Sequence, residues 1–131
     1  MFQTDLPLPK EEAQQMNPVV LAFVGDAVYT LLVREKLARE SSAKTGALNA
    51  LASRTVSAHG QSERLEAMFP LLTEEEAAIF RRGRNAKKLS KSKNATAAEY
   101  SRSTGFEALL GYLYLTGQTE RIQTLFLGED L

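Results

Sequence analysis

The chain has 131 residues, 44% of them hydrophobic, which is enough for one domain with a real core and too few for two. It has no cysteine and one histidine, so disulfides, thiolate metal sites and a zinc centre of the usual kind are excluded, and any metal must be oxygen-bound. Sixteen basic and sixteen acidic residues cancel overall, but eight basic ones, Arg81, Arg82, Arg84, Lys87, Lys88, Lys91, Lys93 and Arg102, crowd one segment beside a single acid, Glu99. The neutral total hides a dipolar chain whose basic segment would attract a polyanion while the remainder repels it.

Helical signals dominate, and no stretch alternates long enough to argue for a strand, so the expected class is all-α, in a single domain over residues 1–131. The opening MFQTDLPLPKEEAQQ lacks the basic patch and apolar core of a signal peptide, which predicts a cytoplasmic chain. A short helix is expected from Lys10 to Met16. Asn17-Pro18 then supplies a cap followed by proline at the first helical position, opening a long helix to about Arg39. Its first part is apolar nearly all round, yet Gly25 and Asp26 interrupt it, and it falls short of the about 20 residues of a membrane span. A helix with no polar face must be covered on several sides, one by the core and one by a second subunit, which predicts a homodimer and no membrane partner.

Thr45-Gly46 opens a third helix, with one buried stripe running through Leu48, Leu51, Ala52, Val56, Leu65 and Met68 until Pro70 closes it. Thr73 and Glu76 form a capping-box pattern for the next helix, expected to run toward Gly83. Residues from about 83 to 96 are rich in lysine, serine and asparagine and read as a mobile basic loop. Such a loop is usually a solvated linker. Here its donors, Arg81, Arg82, Arg84, Asn85, Lys87, Lys88, Lys91 and Lys93, suit the phosphate rows of a nucleic-acid duplex, RNA in particular, where shape and backbone dominate recognition. An apolar helix from about Thr104 to Leu115 ends at Thr116-Gly117, and Glu120 to Leu127 forms the last helix.

Two carboxylates stand among residues meant for burial, Asp26 in VVLAFVGDAVYTLLV and Glu107 in GFEALLGYLYL. A lone buried carboxylate must protonate, pair with a cation or bind a metal, and a divalent ion between two packed helices would satisfy both. Against that, Asp26 could reach solvent beside Gly25 or pair with Arg54 or Arg102. Gly25, costly inside a helix by roughly 1 kcal/mol relative to alanine, points instead to a close approach by another backbone. For Glu107, the spacing Thr104-Gly-Phe-Glu107 by itself favours a capping box, although helix-competent Ala97 to Tyr100 would place Glu107 inside a longer helix. His59 is assigned no role.

FVGDAVYTLLV resembles the signature helix of the ribonuclease III catalytic domain, and FEALLGYLYLTG resembles its companion helix. The likeness extends through RRGRNAKKLSKSKN and YSRSTGFEALLGYLYL, and is greater to the Mini-III ribonucleases, which lack a separate double-stranded-RNA-binding domain. Ala22 and Thr104 stand where the larger enzymes carry two further acids. The resemblance implies a helical, homodimeric endonuclease domain that cleaves double-stranded RNA to 5′-phosphate and 3′-hydroxyl ends. It implies that Asp26 and Glu107 hold magnesium, or manganese in its place, and that the basic loop docks the RNA, with precursor large-subunit (23S) ribosomal RNA as substrate. The alternatives are a noncatalytic RNA-binding or ribosome-assembly factor of the same fold, and a helical dimer that binds proteins through its apolar helix.

Overall fold

The computed structural model describes residues 6–40, 44–86 and 97–128, and all regular structure among them is helical. Its elements are α1 (Lys10–Gln14), α2 (Pro18–Glu40), α3 (Thr45–Val56), α4 (Ala58–Met68), α5 (Glu74–Asn85), α6 (Ala97–Leu115) and α7 (Thr119–Phe126), with a 3₁₀ turn at Phe69–Leu71. The sequence placed most of them, and the local reasons hold: the Asn17 side chain accepts from the Val19 amide at 2.8 Å, and Thr73 and Glu76 close a reciprocal capping box.

Two expectations are corrected. The stripe from Leu48 to Met68 is two helices rather than one. The chain turns extended at Ser57 (φ −62°, ψ 160°), whose hydroxyl accepts from the Gly60 amide and so starts α4. Pro70 accordingly sits in the 3₁₀ turn after α4. The helix expected to begin at Thr104 begins at Ala97, so Thr104 caps nothing. Its hydroxyl donates instead to the Tyr100 carbonyl inside the helix, at 3.0 Å.

Helix α6 is the axis of the fold, buried along Thr104–Phe106 and Ala108–Leu113 and packed against α2, α5, α4 and α7. It meets α2 at a crossing where backbones touch. A Cβ on Gly25 would lie 1.8 Å from the Glu107 carbonyl oxygen, and one on Gly111 would lie 1.9 Å from that of Leu21. The close approach inferred at Gly25 is therefore made by α6. On another side of α6, Gly105 admits Phe80 of α5, whose carbonyl oxygen would stand 2.6 Å from an added Cβ. Tyr29, Phe106 and Phe126 fill the space between α2, α6 and α7 with edge-to-face contacts, at centroid distances of 5.0 Å for Tyr29–Phe106 and 4.8 Å for Phe106–Phe126.

Polar clasps bind the periphery. Arg121 on α7 holds Glu76 through two hydrogen bonds of 2.8 Å and the Leu71 carbonyl through one of 2.7 Å. Burial alone would raise the Glu76 carboxyl, but Arg121 and the Thr73 capping bonds together hold it below its ordinary value. No helix among the described residues is long and apolar enough to cross a membrane.

Candidate active site

The crossing of α2 and α6 brings the two singled-out acids to one place. Asp26 follows Gly25 directly, and Glu107 is the residue whose backbone Gly25 touches, so the closest contact between the two helices is also where the carboxyls meet. Their side chains lie within hydrogen-bonding reach of each other. They differ in surroundings. Glu107 is half-buried, whereas Asp26 is exposed, contrary to the expectation of two buried acids. The reason is that α2 turns one face to the core through Leu21, Ala22, Gly25, Tyr29 and Val33 and the opposite face outward. Phe23 is 80% exposed and Leu31 53%. The outer face borders an apolar groove of about 640 Å³ whose lining includes Phe23, Val28, Leu31, Tyr114 and Ile122, with Asp26 beside them.

Electrostatics perturb the Glu107 carboxyl. Desolvation, then the hydrogen bond and the charge of Asp26, push its carboxyl up from 4.5 to about 8, against the opposing hydrogen bond from Gln61. Two carboxyls in contact cannot both carry full charge without a cation, so the site as built by the protein alone favours a proton on the pair. The donor chemistry fits a hard divalent ion, which takes oxygen ligands from different elements. Among the described residues no group of three or more histidine, aspartate or glutamate side chains gathers to hold a metal. Ala22 and Thr104 are both buried in α2 and α6.

A side chain not singled out from the sequence completes the arrangement. Gln61 of α4 is 2% exposed, and its Nε2 donates to Glu107 Oε2 at 3.1 Å and to the Val56 carbonyl at 3.0 Å. Ser103 donates to Gln61 Oε1 at 2.6 Å. The available signal was that Gln61 precedes Leu65 and Met68 by four and seven residues, so a polar residue stands on the buried stripe of α4. Arg102, considered as a partner for Asp26, instead donates to Ser62 at 3.2 Å.

The basic residues divide. Arg81, Arg82, Arg84 and Asn85 form the last turns of α5, which runs past Gly83, so residues 83–85 of the expected basic loop are helical instead, while Lys87, Lys88, Lys91 and Lys93, with the rest of that loop, lie outside the described residues. Arg82 donates to the carbonyls of Gln14 and Met16, which ties α1 to α5. Arg84 stacks over Phe80 at 5.8 Å from the ring centroid and donates to Asn85.

With this geometry in view, comparison with known proteins is direct. The Ribonuclease III domain model matches residues 19–118. Mini-ribonuclease 3 of Brevibacillus brevis is 49% identical over 106 residues, covering 81% of this chain and 79% of that one. Mini-ribonuclease 3 of a Thermoanaerobacter species is 42% identical over 118 residues, covering 90% and 83%. A crystal structure of a Fusobacterium nucleatum protein superposes with a TM-score of 0.78 at 28% identity, covering 86% of this chain and 90% of that one. The chain belongs to the ribonuclease III domain family and, within it, to the Mini-ribonuclease 3 group.

Proposed function

We propose that the protein is a divalent-metal-dependent endoribonuclease that cleaves double-stranded RNA to 5′-phosphate and 3′-hydroxyl ends, acting in the cytoplasm as a homodimer on the paired stem of precursor 23S ribosomal RNA. The meeting of Asp26 and Glu107 at the α2–α6 crossing is the observation that carries this reading. Asp26 and Glu107 would hold magnesium, with manganese as a substitute. When bound, such an ion supplies an activated water and offsets charge developing on the phosphate.

The chain's own residues have the remaining tasks. Exposed Asp26 would face the substrate, while half-buried Glu107, whose carboxyl burial and Asp26 push up, would supply a second oxygen from the α6 side. Arg81, Arg84 and Asn85 at the end of α5, with Lys87, Lys88, Lys91 and Lys93 beyond it, would follow the RNA backbone. The exposed apolar face of α2 around Phe23 would be covered by the second subunit, giving one site per strand.

The experiment is cleavage of an end-labelled RNA duplex in magnesium by wild type, Asp26→Asn and Glu107→Gln, with duplex binding measured on the same samples. Cleavage lost in both variants with binding retained is the expected result. A wild type that binds the duplex and never cuts it in magnesium or manganese would replace the enzyme with an RNA-binding or ribosome-assembly factor, the reading that the neutral Ala22 and Thr104 favour.

A further inference from the structure

The Gln61 amide sits between groups that dictate its orientation. Its nitrogen faces two acceptors, the Val56 carbonyl and Glu107 Oε2, and its oxygen faces the Ser103 hydroxyl. Inverting the amide would turn its oxygen toward both acceptors and its nitrogen toward the hydroxyl, forfeiting two donations at a position that is 2% exposed. A glutamine fully satisfied in this way is a fixed donor. Its three partners come from the end of α3 and from α6, so the amide also ties the α3–α4 corner to the helix that carries Glu107.

We propose that Gln61, locked by Ser103, is a positioning residue that holds Glu107 by its Oε2 and leaves Oε1 to a bound divalent cation. This rests on the metal-dependent reading of the Asp26–Glu107 pair. A glutamate side chain has three rotatable bonds, and a carboxylate free to turn would offer its two oxygens interchangeably. With Oε2 engaged by Gln61, one rotamer and one ligating oxygen are selected before the cation arrives. Ser103 donates to Gln61 Oε1, and in this scheme its influence on Glu107 passes through the Gln61 amide.

The test uses the full chain and Mn²⁺ as probe, titrated calorimetrically into wild type, Ser103→Ala, Ser103→Thr and Gln61→Met, with duplex cleavage measured at saturating Mn²⁺. Groups that orient a metal ligand typically contribute about 10–100-fold in affinity or activity. Gln61→Met should weaken Mn²⁺ binding within that range. Ser103→Ala should weaken it by about tenfold, with kcat reduced and the KM for duplex unchanged, and Ser103→Thr, which keeps the hydroxyl, should recover both. A merely structural role would lower the melting temperature without separating kcat from KM or responding to the threonine. Should Gln61→Met fail to fold, Ser103→Ala decides alone. Wild type that binds Mn²⁺ and cleaves, alongside folded variants of unchanged Mn²⁺ affinity, overturns the positioning role and spares the nuclease. Wild type that neither binds Mn²⁺ nor cleaves overturns both.

Discussion

Replacing Glu107 with glutamine should make the metal-free protein more stable, although it removes a residue of the candidate site. Burial and Asp26 raise the Glu107 carboxyl from 4.5 to about 8, so between those values the unfolded chain carries this group ionised while the fold prefers it protonated. A group raised on folding contributes its full stability below the unfolded value and loses it as pH rises through the folded one. At 1.36 kcal/mol per pH unit, the interval from 4.5 to neutrality corresponds to a penalty of about 3 kcal/mol. Solvent around the exposed Asp26 screens the pair and reduces this to about 1–2 kcal/mol. Glutamine is neutral throughout and still accepts from Gln61, so it escapes the penalty. In EDTA, Glu107→Gln should melt about 3–8 °C above wild type near pH 7.5, with the gap closing by about pH 4.5. Saturating magnesium should reverse the order, since the ion stabilises only a fold that binds it. A variant less stable than wild type in EDTA near neutrality, or a gap that does not change with pH, would refute the penalty assigned to burial and Asp26.

Four further outcomes are expected. Gly111→Ala forces a Cβ to 1.9 Å from the Leu21 carbonyl oxygen, and because backbone cannot yield as a side chain can, urea denaturation should record a loss of about 3 kcal/mol. Arg121→Met leaves Glu76 buried without its cation and should cost about 2 kcal/mol at neutral pH. Since that carboxyl is held below its ordinary value, its stability is present above pH 4.5 and lost in acid, so the denaturation midpoints of the two proteins should converge as pH falls. Replacing Arg81, Arg84, Lys87 and Lys88 with alanine should weaken duplex RNA binding and lower the magnitude of its salt slope by about one for each phosphate contact removed. Arg82 is left out because its guanidinium anchors α1. If the proposed homodimer forms through α2, wild type should sediment as a dimer and Phe23→Glu, placing a charge on a side chain 80% exposed, as a monomer, and an unchanged sedimentation coefficient would remove α2 from that proposed contact.

The parts of the fold legible in the sequence were those with local causes. Asn17-Pro18 and Thr73 with Glu76 announce helix starts because the bonds they make span two or three residues. Gly25 was informative for the opposite reason, as an unfavourable helical residue that needed a tertiary cause, and the α6 backbone is that cause. Ser57 was not legible: the break it makes contains neither glycine nor proline, and apolar spacing continues through it. The capping box read at Thr104 and Glu107 failed because Ala97 to Ser103 already form the preceding turns of α6, leaving no free amide to cap. Of the site, the acids stood out because charge in an apolar run is conspicuous. Gln61 and Ser103 did not, since glutamine and serine are ordinary surface residues and only the fold sets them against Glu107.

At the crossing itself, the contact of Gly25 and Gly111 leaves no space for a side chain between α2 and α6. Loop-built pockets can reshape themselves around different guests, whereas here the two acid-bearing backbones are braced against each other like stones in an arch. The separation of the Asp26 and Glu107 backbones is thus set by the glycine contact. What freedom the pair retains lies in the two side chains, and that of Glu107 is held in turn by Gln61.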